Sequence, residues 1–201
     1  MDLGSAFAVS VLRQPHQEAI VDGDRRLSYT QWYREIRTVA GGLKERGLKT
    51  GDHLVVVMRN RYEMATLYWA SHLLGLIFTP VSWRANADEI RYCLEDAEAV
   101  VVAFDGASGQ SAPEAVASLK IDPRRVIVAA DGRGDGARFE TLLQASPIPG
   151  PSSPNEFSTC LIRPAPRAGR KACHAATAPS SAHRSPTSHR ISTGRVILAS
   201  A

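Results

Sequence analysis

The chain has 201 residues, enough for one domain with a sizeable core, but its average composition hides a sharp change in charge. All 20 acidic residues lie between Asp2 and Glu156, whereas residues 158–201 contain seven basic residues and no acidic one. The net charge of +4 therefore comes from the C-terminal tail. It is no sign that the folded part binds nucleic acid.

No targeting or membrane segment is predicted. Residues 1–4 lack the basic start of a signal peptide, and the most apolar stretch, Leu73–Val81, is far shorter than the roughly 20 residues of a membrane helix. Cys93, Cys160 and Cys173 lack the spacing of metal ligands or redox pairs. We therefore predict a soluble cytoplasmic protein, with no metal ligands, in which Cys93 is a small buried side chain.

The first elements are short. Residues 5–13 are compatible with a short helix. Ala19–Val21 and Arg26–Ser28, on either side of the turn at 22–24, predict a β-hairpin.

A long helix follows, with Thr30 as its predicted N-cap and Gly47 as its C-terminal stop. Apolar residues recur at helical spacing along it, namely Trp32, Ile36, Val39 and Leu43. A turn at 49–52 then leads into His53–Met58, a β-branched run typical of a strand that is buried on both faces.

The same helix-to-strand pattern continues to residue 145. Asn86 with Glu89 three residues later forms a capping-box pattern at the start of one helix. The other predicted helices are Arg61–Leu74, Pro113–Leu119 and Arg138–Ala145, and the predicted strands are Leu76–Pro80, Ala99–Phe104 and Val126–Ala130. This alternation predicts an α/β fold, with a largely parallel sheet covered by helices on both faces.

Isolated charged and aromatic side chains are interpreted as structural. Glu35, Lys44, Glu45 and Arg46 are expected on a solvated helix face, and the lone His53 and His72 are expected to be packed or at the surface rather than ligands. Trp32, Trp69 and Trp83 are expected to pack in or near the core.

The amino-acid composition changes at Pro147, where a Pro- and Ser-rich linker begins. Residues 158–201 have no acid, no aromatic residue and no sustained apolar period. Such a composition cannot bury enough apolar surface to offset the entropy of ordering, so we predict a disordered basic tail.

The order of segments in the first part resembles the N-terminal region of AMP-forming acyl-CoA synthetases, which are adenylate-forming ligases. The resemblance rests on RLSYTQWY, GLKERGLKTGDHLVVVMRN, the helix at 62–74 and GLIFTPVSWRANADEIRYCLEDAEAVVVAFD, and it covers about residues 15–160. Ser82-Trp83-Arg84 stands where such proteins commonly have an Asn-x-Arg-like segment, a small departure from the pattern.

The resemblance implies a glycine-, serine-, threonine- and lysine-rich ATP phosphate loop at about 163–172. Backbone N–H groups, hydroxyls and a lysine would there surround the phosphates. The chain instead reads RPAPRAGRKA over 163–172, so we assign no catalytic, cofactor-binding or metal-binding residue.

The genetic code offers an explanation for the missing loop. When the last base of each codon from Arg163 to Lys171 is joined to the first two of the next, the shifted frame permits Ser-Gly-Thr-Thr-Gly-Arg-Pro-Lys-Gly. This is the family's phosphate-loop signature, at the expected place. We therefore hypothesise a frameshift near codons 161–163, which divides the chain into a partial AMP-binding domain at 1–160 and an out-of-frame tail at 161–201.

The resemblance implies that the parent enzyme, meaning the ligase with an intact reading frame, activates a carboxylic acid with ATP and Mg²⁺. It would form an acyl-adenylate and pyrophosphate, then transfer the acyl group to the thiol of coenzyme A. The chain itself is expected to be inactive, to bind ATP and coenzyme A poorly and to fold only marginally, because its sheet would end early.

Two alternatives remain open. The stretch at Val126–Ala137 carries Gly132-x-Gly134-x-x-Ala137, a loose dinucleotide-binding fingerprint after a predicted strand. The second alternative is a binding module whose basic tail contacts nucleic acid through Arg163, Arg167, Arg170, Lys171 and 188–190. The frameshift explains the composition of the tail better, so we predict no nucleic-acid partner.

Overall fold

The computed structural model describes residues 3–150. Its helices are α1 (Leu3–Arg13), α2 (Tyr29–Glu45), α3 (Tyr62–Leu74), α4 (Ala87–Asp96) and α5 (Ser111–Ser118). Its strands are β1 (Glu18–Asp22), β2 (Arg25–Ser28), β3 (His53–Val57), β4 (Ile77–Val81), β5 (Val101–Phe104), β6 (Val126–Val128) and β7 (Ala137–Arg138). Short 3₁₀ helices occupy Gly106–Ser108, Pro123–Arg125 and Phe139–Gln144.

The described strands form two sheets. β1 and β2 pair as the predicted antiparallel hairpin. The other five form a parallel sheet in the order β4-β3-β5-β6-β7, in which Leu54 of β3 pairs with both Phe78 and Val101. The α/β fold class predicted from the sequence is thus confirmed.

Two hydrophobic layers cover the parallel sheet. On one face α1, α2, α3 and the 3₁₀ helix at 139–144 pack over residues such as Leu54 and Val56. On the other face α4 and α5 pack over Val55, Val57 and Val102. Successive residues of β3 therefore point to opposite faces, and residues 54–57 are all buried, which explains the apolar run in its sequence.

The helix ends follow the local chemistry of the sequence, with one correction. The capping box of Asn86 and Glu89 is confirmed, and Gly75 ends α3 in the left-handed conformation at φ +69°. The sequence predicts Thr30 as the N-cap of α2, but this prediction is wrong because the helix begins two residues earlier. Ser28 is the N-cap and forms a capping box with Gln31.

Two glycines let a later segment lie directly on α2. A Cβ atom added to Gly41 would lie 1.9 Å from the carbonyl oxygen of Ser146, and one added to Gly42 would lie 2.9 Å from Leu142. Ile148 continues this contact, since its N–H donates to the carbonyl of Arg37 and its own carbonyl accepts from the Arg37 side chain. Residues 139–148 are thereby fixed to the first helical layer.

Other boundaries differ from the predictions for physical reasons. β4 continues through Pro80 to Val81, which is possible because β4 lies at the edge of the described sheet, where proline is tolerated. The predicted helix at 138–145 is a 3₁₀ helix at 139–144, preceded by the unpredicted strand β7. The tail at 161–201, Cys160 and Cys173 lie outside the described residues.

Candidate functional site

The candidate site lies at the carboxyl edge of the parallel sheet. β3 and β5 are neighbours, but β4, which separates them in the chain, lies on the other side of β3, so the strand order reverses at this pair. In open α/β sheets, ligands bind beyond the carboxyl ends of the strands at such a reversal. The loops after β3 and β5, at 58–61 and 105–110, meet there.

Arg61 contacts three carboxylates at this edge of the sheet. Its guanidinium lies 2.9 Å from Glu63, 3.2 Å from Asp105 and 3.5 Å from Asp131, so it connects the loops after β3, β5 and β6. The side chain of Asp105 is fully buried, whereas that of Asp131 is 78% exposed. The Arg61–Asp105 pair is therefore the part of the cluster that solvent screens least.

The protonation state of Arg61 follows from these neighbours. Partial burial by itself lowers the pKa of Arg61, but the carboxylates of Glu63 and Asp105 more than compensate and hold that pKa above its ordinary value. Arg61 is a permanent cation whose charge is already neutralised by protein groups. The cluster is suited to holding loops together rather than to proton transfer.

A second basic group lies beside it with different properties. The guanidinium carbons of Arg59 and Arg84 lie 4.8 and 4.0 Å from the ring centre of the half-buried Trp83. Both arginines are exposed, and within residues 3–150 neither guanidinium forms an ion pair with a carboxylate. Two uncompensated cations on an aromatic support can bind an anion such as a phosphate.

A groove of about 390 Å³ adjoins Arg61 between the hairpin, α3 and β4. Its walls are mainly apolar and include Val21, Trp69 and Phe78. Its volume falls in the range of small-ligand sites. Its charged groups, Asp22 and Arg61, are already bonded to protein groups, so it offers little to fix a charged substrate.

The sequence did not reveal the Arg61 cluster. Arg61 and Asp105 are 44 residues apart, and neither stands in a recognisable motif. A usable signal is the position of Asp105, which directly follows the buried strand β5, whereas Arg61 lies four residues after the end of β3. In the sequence, Arg84 stands out only as part of Ser82-Trp83-Arg84, the departure from the family pattern.

The structural interpretations of Cys93 and Trp32 are confirmed. Cys93 is buried, and burial raises the pKa of its thiol to about 11, so it is an inert hydrophobic residue. Trp32 is in the core, where its indole N–H donates to Thr66. Among residues 3–150 no cluster of three or more His, Cys, Asp or Glu residues could hold a metal ion.

Glu35 of α2 and Arg46, the C-cap residue of α2, do not fit the predicted solvated face. Glu35 accepts a hydrogen bond from the hydroxyl of Tyr62, and Arg46 bonds to the Gly42 carbonyl and to Thr141. The helix periodicity placed them away from the main core, but neighbouring segments cover this side of α2. The two side chains thus tie α2 to α3 and to the segment at 139–148.

The structure does not favour the dinucleotide alternative at 132–137. The fingerprint needs a helix whose N-terminus faces the loop, but here the loop leads into β7. The side chain of Arg138 donates to the carbonyls of Ala130 and Gly132 and closes the loop on itself. The expected ATP loop at 163–172 and the basic tail lie outside the described residues.

No helix within residues 3–150 is both long enough and apolar enough to cross a bilayer.

Known proteins resemble this chain in sequence and in fold. The 2-succinylbenzoate–CoA ligase of Bacillus licheniformis is 34% identical over 85 residues, which are 42% of this chain and 18% of that protein. A long-chain-fatty-acid–CoA ligase of Mycobacterium tuberculosis is 31% identical over 111 residues, 55% of this chain and 18% of that protein. The crystal structure of a benzoate CoA ligase from Burkholderia xenovorans is 16% identical, with a TM-score of 0.71 over 80% of this chain and 32% of that chain.

The structural likeness, at this low identity, concerns the fold alone. The chain spans less than half the length of the curated relatives it matches. A family model described as AMP-binding enzyme matches residues 7–168, most of the 201-residue chain. The chain therefore belongs to the family of AMP-binding enzymes, the AMP-dependent synthetase family indicated by its sequence.

Proposed function

We propose that the protein is the N-terminal portion of an ATP-dependent acid–CoA ligase. The whole enzyme would join a carboxylate to AMP with release of pyrophosphate, then transfer the acyl group to the thiol of coenzyme A. The observation that carries this proposal is the family match over residues 7–168.

The names of the relatives support the reaction class but leave the acid open. They concern 2-succinylbenzoate, long-chain fatty acids and benzoate, which share little beyond a carboxylate. The acid could be a medium- or long-chain fatty acid or an aryl acid, and a related role as an adenylation domain is also compatible with the family.

The carboxyl edge of the sheet contributes binding rather than chemistry in this proposal. The exposed guanidinium groups of Arg59 and Arg84 would attract the phosphates of ATP or coenzyme A, both of which are polyanions. Mg²⁺ would reach the site with ATP. Most of the rate enhancement would come from positioning the substrates and from stabilising developing charge.

The phosphate loop is the missing part. We propose that residues 161–201 are read out of frame and that the correct frame supplies Ser-Gly-Thr-Thr-Gly-Arg-Pro-Lys-Gly in place of 163–172. Residues 1–160 would then be a partial N-terminal domain, cytoplasmic and of marginal stability. The present chain would bind ATP and coenzyme A weakly and would have no ligase activity.

A matched pair of proteins tests the proposal. One is the 201-residue chain, and the other is the product of a gene corrected by one frame near codon 162. With ATP, Mg²⁺, coenzyme A and a panel of fatty and aryl acids, only the corrected product should form AMP and acyl-CoA in an acid-dependent way. If the corrected product forms neither with any acid, the proposed function is wrong.

A further inference from the structure

α3 begins without a cap of its own. The side chain of its N-cap residue, Arg61, accepts no hydrogen bond from the backbone of the first turn, so the first N–H groups need acceptors from elsewhere. Asp22, the last residue of β1, supplies one, because its Oδ2 atom accepts from the N–H of Tyr62 at 2.8 Å. The helix dipole also favours a carboxylate at this end.

Tyr62 is held in place by two further groups. Its hydroxyl donates to Glu35 of α2, and the guanidinium carbon of Arg25 in β2 lies 4.0 Å from the centre of its ring. Burial, helped by the neighbouring Glu35 carboxylate, raises the pKa of Tyr62, so its hydroxyl remains a protonated donor. The hairpin and α2 together fix the first turn of α3.

The adjacent residue reaches across the edge of the parallel sheet. Arg61 pairs with the buried Asp105, and Asp105 in turn accepts a hydrogen bond from the N–H of Ala107 at 3.1 Å. A continuous series of contacts thus runs from the hairpin, through the first turn of α3, to the loop after β5. A displacement of the α3 N-terminus would therefore alter the contacts at both ends of this series, in the hairpin and in the loop after β5.

We infer that Asp22 is a positioning residue, which caps α3 from the hairpin and thereby holds Arg61 against Asp105 at the carboxyl edge of the sheet. The inference rests on the proposed function only in treating this edge as the one that meets substrate. The contact series itself needs no ligand, so it can be tested separately.

Residue-resolved amide hydrogen exchange in the 201-residue chain provides the test. Asp22→Ala should speed exchange about fivefold at Tyr62, the effect of losing one cap, and at least about twofold at Ala107. The amide of Val55, in β3 between two parallel neighbours, should not change. Asp22→Asn keeps an acceptor oxygen and should leave both amides close to wild type.

Asp24→Ala is the matched control, because it removes the same charge from an exposed position of the same hairpin turn. It should alter neither amide. The inference is overturned if Tyr62 alone exchanges faster, if Val55 accelerates equally, or if Asp24→Ala has the same effect as Asp22→Ala.

If Asp22→Ala does not fold, Asp22→Ser replaces it, since the shorter hydroxyl weakens the cap without removing every acceptor. The amides of Tyr62 and Ala107 should then accelerate together. Faster exchange at Tyr62 alone, or no change at either amide, would overturn the inference. Because no substrate is added, this result is independent of the ligase assay.

Discussion

Arg61 and the pair formed by Arg59 and Arg84 occupy the same edge of the parallel sheet, but they differ in burial and in their ion-pair partners. Arg61 is 28% exposed and touches three carboxylates, one of them fully buried. Arg59 and Arg84 are exposed, lie against Trp83 and have no carboxylate partner within the described part of the chain. One cation is committed to the fold, and the other two are available to a ligand.

The difference in burial explains why one arginine is paired with carboxylates while the other two are not. A buried carboxylate such as Asp105 requires a cation, because leaving it uncompensated costs several kcal/mol. An exposed guanidinium loses little when no partner is present, so it can remain unpaired until an anion arrives. Under the proposed function, the same residue type therefore serves two purposes at one sheet edge.

The largest effect is expected from Arg61→Ala. It leaves the Asp105 carboxylate buried without its cation, so the free energy of unfolding should fall by about 3 kcal/mol. Chemical denaturation of the frame-corrected protein measures this loss. Arg84→Ala, the matched exposed control, should cost less than about 1 kcal/mol. Equal losses from the two variants would erase the distinction between the two groups.

Arg61→Lys should have an intermediate effect. The ammonium keeps the charge near Asp105, but it cannot reproduce the separate contacts that the Nε and terminal nitrogen atoms of Arg61 make with Glu63 and Asp105. We expect a loss of about 1 kcal/mol in the same denaturation experiment. A lysine variant as unstable as Arg61→Ala would show that guanidinium geometry, rather than charge, stabilises this edge.

The exposed pair should matter for binding and little for stability. In the frame-corrected protein, the double variant Arg59→Ala/Arg84→Ala should weaken binding of ATP or coenzyme A about tenfold, with a smaller salt dependence than wild type. Calorimetry with each compound separately shows which of the two uses the site. Unchanged affinity for both compounds would remove these arginines from the proposed binding surface.

The smallest expected effect concerns His53, at the opposite end of β3. Burial lowers the pKa of His53 despite the nearby carboxylates of Glu98 and Asp52, so the unfolded chain binds a proton more readily than the folded one. Stability should therefore decline as the pH falls from about 6.5, the pKa of an unperturbed histidine, towards the lower folded value.

Because the imidazole is only half-buried, this decline should be smaller than any of the effects above. His53→Gln should flatten the pH dependence of thermal unfolding over this range. A slope that is the same in both proteins would assign the pH dependence to other groups.

Local signals predicted the fold better than the site. The apolar stripe from Trp32 to Leu43 and the capping box at Asn86 depend on neighbours in sequence, and both are confirmed. Thr30 was placed in the wrong role because Ser28, assigned to the hairpin, also caps the helix. β7 was missed because two residues carry no detectable period.

The carboxyl edge could not be derived from the sequence because its pairs are distant in the chain. The contact between Asp22 and Tyr62 spans 40 residues, and that between Arg61 and Asp105 spans 44. Strand order brings Arg61 and Asp105 together, and packing of the separate hairpin on α3 brings Asp22 to Tyr62, whereas the sequence indicates parallel strands without their order. Knowing that β3 and β5 are neighbours would have pointed to Arg61 and Asp105.

The DNA sequence of the gene through codons 155–210 and beyond, read again from the source organism, tests the proposed frameshift. A one-frame correction near codon 162 should restore Ser-Gly-Thr-Thr-Gly-Arg-Pro-Lys-Gly and open a long downstream frame of ligase sequence. A verified frame with no such alternative and no ligase sequence downstream would contradict it, leaving the family membership as a statement of ancestry alone.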